Sequence, residues 1–116
     1  MAVTGISAGL SGLQAAGQGV AVTANNVANL QSTGYRAKSL ELAEQAQGGV
    51  AAQGLAISQD PLAPGGSNVD LATEAVNLDT QGTAYQANAK FLKVQERLLG
   101  AALDMKAGAP RPRRLH

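Results

Sequence analysis

The stretch of sequence that decides the fold is residues 3–30, VTGISAGLSGLQAAGQGVAVTANNVANL. Apolar or small residues recur in it at alternating spacings of three and four, in two adjacent rows. The first row is Ile6, Leu13, Val20 and Val27, and the second is Val3, Leu10, Gly17 and Ala24. This period predicts an amphipathic helix with a coiled-coil seam, in which the two small residues bring a partner helix close.

The first predicted helix is rich in glycine and carries no charged side chain. No Asp, Glu, Lys or Arg precedes Arg36, and five glycines lie between residues 5 and 19. Each glycine costs a helix about 1 kcal/mol relative to alanine, so we expect the isolated helix to fray. A charge-free helix that is unstable alone predicts that another surface covers it.

A cluster of asparagines predicts where this helix ends. Asn25, Asn26 and Asn29 have side chains that compete for backbone hydrogen bonds, and Gly34 then supplies a turn. The cluster is explained either by local capping or by hydrogen bonds to a neighbouring subunit, and both interpretations stay open at this stage.

The middle of the chain predicts a short β-hairpin. The segments 35–43 and 50–58 contain imperfectly alternating apolar residues, and they flank the pair Gly48-Gly49, which suits a tight turn. Two strands alone are marginal in water, so the hairpin needs a helix to lie on. The Pro/Gly-rich segment 60–66 predicts a loop.

A second helix is predicted up to residue 108. Asn68 or Asp70 suits its N-cap, and Glu74 suits the positive end of the helix dipole. Apolar residues recur every seven positions at Leu71, Leu78, Tyr85, Leu92 and Leu99, with Ala75, Gly82, Ala89 and Leu103 beside them. A further stripe contains Phe91, Val94, Leu98, Ala101 and Met105. A helix that is apolar on more than one face predicts more than one partner.

Composition excludes several classes of function. The net charge of +1 gives no electric field that favours binding of nucleic acid. The sequence has no run of about 18 apolar residues, so we expect no membrane-spanning helix. It has no basic segment followed by an apolar one at its start, so we expect no secretory signal. Zero cysteines exclude disulfides and thiolate metal sites. His116 is the only histidine and the last residue. We therefore expect no catalytic residues, no cofactor and no metal site, and hence no enzyme.

Two stretches form recognisable motifs. The first is ANNVAN at residues 24–29 followed by STGYRA at residues 32–37. The second is SNVDL at residues 67–71, Glu74, VNL at residues 76–78 and AYQANAK at residues 84–90. The pair resembles the N-terminal and C-terminal signatures of the flagellar rod and hook protein family, in the family's order and near the two ends of the chain.

Within that family the chain looks most like the short proximal rod proteins, because only a hairpin separates the two motifs. The resemblance implies an axial structural protein of the basal body, exported through the flagellar type III apparatus and assembled in the periplasm. The implied partners are copies of itself, other rod proteins, and the membrane ring or export-gate base. Nucleic acid and direct membrane insertion are not expected.

We therefore predict a mainly α-helical protein with two long antiparallel, coiled-coil-like helices and a small β-hairpin between them. The predicted organisation has four parts. They are an N-terminal helix with the asparagine-rich motif at residues 1–34, the hairpin and its loop at 35–66, a C-terminal helix at 67–108, and a basic tail at 109–116, which contains Arg111, Arg113 and Arg114.

The predicted assembly interface combines the seam positions with the motif residues. Its members are Ile6, Leu10, Leu13, Gly17, Val20, Ala24, Asn25, Asn26, Val27, Asn29, Gly34, Tyr35, Asn68, Asp70, Leu71, Leu78, Tyr85, Asn88, Leu92 and Leu99. By pattern alone, the same rows also suit packing of the two helices within one chain. The alternative function is a soluble helical-hairpin interaction module, for which Asp79 and Gly82 in the second helix are the sequence hints.

Overall fold

The structure is a computed structural model that describes residues 2–46 and 48–108. It contains helix α1 at Ala2–Ala28, strand β1 at Lys38–Glu44, strand β2 at Val50–Ile57 and helix α2 at Leu71–Ala107. The predicted class, two long antiparallel helices joined by a β-hairpin, is therefore confirmed. The predicted basic tail lies outside the described residues.

Helix α1 ends where the asparagines predict. The backbone N–H of Asn29 donates to the carbonyl oxygens of Asn25 and Asn26, at 3.2 and 3.1 Å, and its side-chain Nδ2 donates to Asn25 O at 2.9 Å. Gly34 follows with a φ of 78°, a left-handed conformation that glycine adopts without strain. Local capping by Asn29 is thus part of the explanation for the cluster.

Helix α2 is bounded by a cap at each end. Asp70 is the N-cap, and its carboxylate accepts from the backbone N–H groups of Ala72 and Thr73 at 3.0 and 3.4 Å. Gly108 ends the helix with a φ of 67° and donates its N–H to Met105 O. The helix is continuous through Asp79 and Gly82, so neither residue interrupts it.

The hairpin is antiparallel, with Lys38 paired to Ile57 at one end and Glu44 paired to Val50 at the other. The connection runs through residues 45–49 and is longer than the predicted tight turn, since Gln45 N–H donates to Gly49 O at 2.9 Å. Gly48 and Gly49 both have positive φ, at 96° and 90°.

Both strands pack on α1, which supplies the helical support that the hairpin was predicted to need. Val50 N–H donates to the Ser11 hydroxyl at 3.0 Å. A side chain at Gly49 would collide with that hydroxyl and lie 3.2 Å from Ala8 Cα. Glycine at this position therefore allows the turn to lie directly on the helix.

The two helices pack through a seam of small residues on α1. The α1 seam contains Gly5, Gly9, Gly12, Ala16, Gly19, Thr23 and Asn26. Each of these positions is one residue before a member of the predicted apolar rows. Because each residue turns a helix by about 100°, the predicted apolar rows of α1, which we call its aliphatic rows, do not face α2 but point to one side of the contact between the helices.

The α2 half of the seam is largely polar. Glu74, Gln81, Asn88 and Gln95 approach α1, together with Leu92 over Gly9. Within the described residues, the only buried apolar side chains are Ala15 and Ala16. The core is therefore thin, and packing of the aliphatic rows against each other within one chain is not what joins the helices.

We expect alanine at Gly9 and at Gly17 to have opposite effects on helix stability. At Gly17 no atom lies within 4 Å of an added Cβ, so G17A gains about 1 kcal/mol of helix propensity. At Gly9 the Cβ would lie 2.9 Å from Leu92 Cγ and 3.0 Å from Phe91 Cδ2. G9A therefore forces the helices apart and lowers the helicity measured by circular dichroism. An equal increase for both variants would contradict the glycine seam.

Candidate assembly site

A buried asparagine joins the elements at one end of the molecule. Asn26 is 1% exposed, and its Nδ2 donates to Lys38 O at 2.7 Å and to Glu74 Oε1 at 3.0 Å. Its Oδ1 accepts from the Tyr35 hydroxyl at 2.8 Å and from Lys38 N–H at 3.0 Å. An amide side chain offers two donors and two acceptor sites. All four are used, and they link α1 to the start of β1 and to α2.

The neighbouring motif residues surround this amide. Asn25 Nδ2 donates to the Tyr35 hydroxyl at 3.1 Å, and the Ser32 hydroxyl donates to Asn29 Oδ1 at 3.0 Å. The Lys38 ammonium lies 5.7 Å from the centre of the Tyr35 ring, within the range of a cation–π contact. The N-terminal motif thus forms a continuous polar cluster around Asn26.

The C-terminal motif completes the same cluster. The buried Ser67 hydroxyl donates to Leu30 O at 2.6 Å, and Asn68 Oδ1 accepts from Ala37 N–H at 2.6 Å. Asn68 N–H also donates to Tyr35 O at 3.2 Å. The two motifs, distant in sequence, therefore form one hydrogen-bonded junction, and Asn68 bridges the loops instead of capping α2.

The loop between the motifs is fixed by Arg36. One guanidinium nitrogen, Nη1, donates to the backbone oxygens of Ser58 and Asp60, at 3.1 Å each. Asn68 Nδ2 donates to the same Asp60 oxygen at 3.0 Å. The end of the hairpin is consequently tied to both motifs.

Glu74 has a larger role than its sequence position indicates. It is only 5% exposed, and its carboxylate lies in the first turn of α2, where the helix dipole favours a negative charge. It accepts the hydrogen bond from Asn26. The sequence predicts the first-turn acid but gives no signal for its contact with a residue on the other helix.

The aliphatic rows of the two helices lie on the same side of the pair. On α1 the row residues follow the seam by one residue, and on α2 the residues Leu71, Leu78 and Tyr85 precede the seam by three. Either shift rotates the row in the same sense, by about 60–100° from the seam. Because the two helices run in opposite directions, both rotations point to the same side of the pair. The hairpin occupies the other side, because Ala8 and Ser11, which it contacts, precede the seam residues Gly9 and Gly12. The rows therefore form one surface away from the hairpin, which we call the aliphatic face.

The aliphatic face is substantially exposed. Leu10 and Leu78 are each 48% exposed and Leu71 is 53% exposed, and Val27 and Tyr85 are exposed as well. The half-buried members are Ile6, Leu13, Val20, Leu92 and Leu99, and the exposed small members are Gly17 and Ala24. The second α2 stripe, with Phe91, Val94, Leu98 and Met105 exposed, lies on the hairpin side.

The structure places the predicted interface residues in two different groups. The row residues are gathered on the aliphatic face, whereas Asn26, Asn29, Tyr35 and Asn68 lie in the junction, with Asn25 at its rim. Asn88 lies in the helix seam against Gly12 and donates to Ala84 O at 2.8 Å. Exposed Gly34 and Asp70 serve as the turn and the N-cap.

Other functional features are limited in the part of the chain that the structure describes. No three His, Cys, Asp or Glu side chains there are grouped so that they could hold a metal ion. No described helix combines the length and apolar character needed to cross a membrane. A groove of about 380 Å³ lies between β1 and the helices, with Ala15, Leu40, Leu42 and Thr80 among its lining residues.

The two helices hold each other through glycine and polar side chains and leave leucines exposed in the described part of the chain. Comparison with known families identifies the class of protein. The family model "Flagella basal body rod protein" matches residues 6–36, and "Flagellar basal body rod FlgEFG protein C-terminal" matches residues 65–105. Together the matches cover more than half of the chain. The chain belongs to the flagellar basal-body rod protein family.

No curated protein matches the sequence. Membership of the rod family identifies a structural component of the flagellar basal body that assembles with other rod proteins. The two matched regions meet in space, because each contributes half of the junction around Asn26.

We expect N26A to destabilise the fold much more than N25A. Without the Asn26 amide, the Lys38 backbone groups and the Glu74 carboxylate lose buried partners, which costs about 3 kcal/mol or more. Asn25 is exposed, and its side chain donates to Tyr35 and accepts a long hydrogen bond of 3.4 Å from Asn29, so N25A costs about 1 kcal/mol. Urea unfolding and hydrogen exchange at the Lys38 amide measure the difference. Equal effects of the two variants would contradict the junction.

Proposed function

We propose that this chain is a short, proximal-type rod subunit that polymerises through its aliphatic face into the axial structure that transmits torque. The observation that carries the proposal is the exposure of leucines on both helices beside a helix seam that buries mainly small and polar residues. Burial of a large aliphatic side chain contributes about 1.5–3 kcal/mol. A neighbouring subunit that covers several of these side chains supplies the stabilisation that the thin core lacks.

The junction and the aliphatic face have separate roles in this proposal. The row residues contact neighbouring subunits, whereas Asn26 and Asn88 act from inside the chain, because the first is fully buried and the second lies in the helix seam. The junction fixes the angle between the helices and the hairpin. It therefore positions the two rows as one surface.

Transmission of torque needs a subunit that resists bending between its contacts. Helix α2 has 37 residues, which corresponds to a length of about 55 Å. Close contact with α1 from Glu74 to Gln95 distributes a load over many small interactions. This geometry supports a mechanical role.

The proposed route is export through the type III apparatus followed by assembly in the periplasm, with the membrane ring or export-gate base as further partners. Among the described residues only Ala15 and Ala16 are buried apolar side chains, so little hydrophobic burial opposes unfolding, which suits export through a narrow channel. The terminal helices then complete their packing on neighbouring subunits.

We expect the double variant L10Q/L78Q to raise the critical concentration for polymerisation by about tenfold or more, because two exposed leucines no longer gain from burial. Its matched control is T83Q/A87Q, which places glutamine at two exposed positions on the side of α2 away from the aliphatic face. Sedimentation measures polymerisation, and circular dichroism checks that the helicity of the two monomers agrees.

Polymerisation of L10Q/L78Q at the concentration that suffices for the unaltered chain would overturn the aliphatic face as the interface. A chain that stays a fully helical monomer with a sharp thermal transition at every concentration would favour the helical-hairpin interaction module instead.

A further inference from the structure

A ladder of polar residues runs along the side of α2 that faces α1. Each rung pairs a polar residue of α2 with a glycine or an asparagine of α1. Each step of seven residues along α2 is matched by a step of seven residues back along α1, so all rungs belong to one antiparallel register. The rungs of this polar ladder are Glu74 with Asn26, Gln81 with Gly19, Asn88 with Gly12, and Gln95 with Gly5.

The polar ladder is interleaved with the apolar row of α2 that begins at Leu71 and recurs every seven residues. A ladder residue follows each of the first four members of that row by three positions. Alternating spacings of three and four are the pattern by which a helix pairs with a copy of itself in a coiled coil. Leu71, Leu78 and Tyr85 are about half exposed. Apolar residues at the ladder positions would therefore let α2 of another copy compete with α1.

Helix α1 accepts the ladder in both size and hydrogen bonding. Glycine at the facing position leaves room for a long side chain, since a Cβ at Gly19 would lie 3.0 Å from Gln81 Nε2. The polar atoms also keep partners. Gln81 Oε1 accepts from the Thr23 hydroxyl at 3.1 Å, and Asn88 Nδ2 donates to Ala84 O at 2.8 Å.

A second α2 helix offers neither the space nor the partners. Its own seam carries leucines and equally long polar side chains where α1 has glycine. The amides would be enclosed against apolar groups and would lose hydrogen bonds, and a parallel pair would bring two Glu74 carboxylates together. Polar residues at seam positions of coiled coils set the choice of partner in this way, at a cost in stability.

We propose that the polar ladder makes α2 selective for the glycine seam of α1 and rejects a second α2. This inference rests on the proposed rod function and deepens it. A contact between two identical α2 helices is isologous and closes as a dimer, which would remove the leucines of α2 from the aliphatic face. The ladder keeps those leucines for the neighbouring subunit of a polymer.

Leucine in place of two ladder amides tests this selectivity. Q81L/N88L keeps side chains of similar size but makes the centre of the α2 seam apolar. The reporter is Y85C, because the chain contains no cysteine and position 85 is the middle of the apolar row. It meets its equivalent in a parallel or an antiparallel pair of α2. Below the concentration at which the chain polymerises, Y85C/Q81L/N88L forms about tenfold more covalent dimer than Y85C alone.

Two matched variants separate selectivity from added hydrophobicity. Y85C/T83L/Q86L carries two new leucines at exposed positions on the outer side of α2, and Y85C/Q81N/N88Q keeps an amide at both ladder positions. Both form no more covalent dimer than Y85C alone. Circular dichroism compares the helicity of all four chains. If Q81L/N88L lowers the helicity, the single substitution N88L takes its place in the same comparison.

The outcomes separate this inference from the proposed function. A ladder variant that forms no more covalent dimer than Y85C alone would overturn the selectivity, as would an equal increase in the T83L/Q86L control. Neither result touches the rod function, which fails if the unaltered chain does not polymerise at any concentration or salt. In that case the comparison of covalent dimers still decides whether the ladder selects the partner of α2.

Discussion

The close approach of two helices through glycine is the constraint on which the rest of the structure depends. Gly5, Gly9, Gly12 and Gly19 leave room on α1, and long polar or branched side chains of α2 fill that room. An added methyl group at Gly5 or Gly12 would collide with the Gln95 or Asn88 side chain. Glycine lowers the intrinsic stability of a helix. The close contact with α2 therefore has to stabilise a segment that would be a weak helix by itself.

That constraint decides which side chains remain for neighbouring subunits. Since small residues form the α1 half of the internal seam, row leucines such as Leu10, Leu71 and Leu78 are turned to one side and stay exposed. The polar junction then holds the orientation, because Asn26 satisfies its full hydrogen-bonding capacity with partners on β1, on α2 and in the loop before β1. The molecule thus has a specified shape but little buried apolar surface, a combination that suits a subunit whose packing is completed in a polymer.

The sequence predicts most of the fold because local signals mark its boundaries. Asn29 ends α1, Asp70 begins α2 and Gly108 ends it, and each acts through backbone hydrogen bonds within a few residues. The sequence does not predict which residues of α1 face α2. Hydrophobic periodicity selects the aliphatic rows, whereas glycines one position earlier carry no hydrophobic signal although they permit the closer contact.

The contents of the junction are also beyond the reach of sequence patterns. Asn26 and Glu74 are 48 residues apart in the chain, and nothing local to either indicates that they meet. Asparagines at a helix end are expected to cap it, and Asn29 does so. Only the fold distinguishes that residue from Asn26, which is fully buried.

The central claim is that the aliphatic face is open in the free chain and covered by a neighbour after assembly. Because the chain has no cysteine, L78C introduces a single thiol whose rate of alkylation reports exposure at that position. The account predicts rapid labelling of the monomer and strong protection in the polymer. A thiol that is protected in the monomer, or one that reacts equally fast in both states, would contradict it.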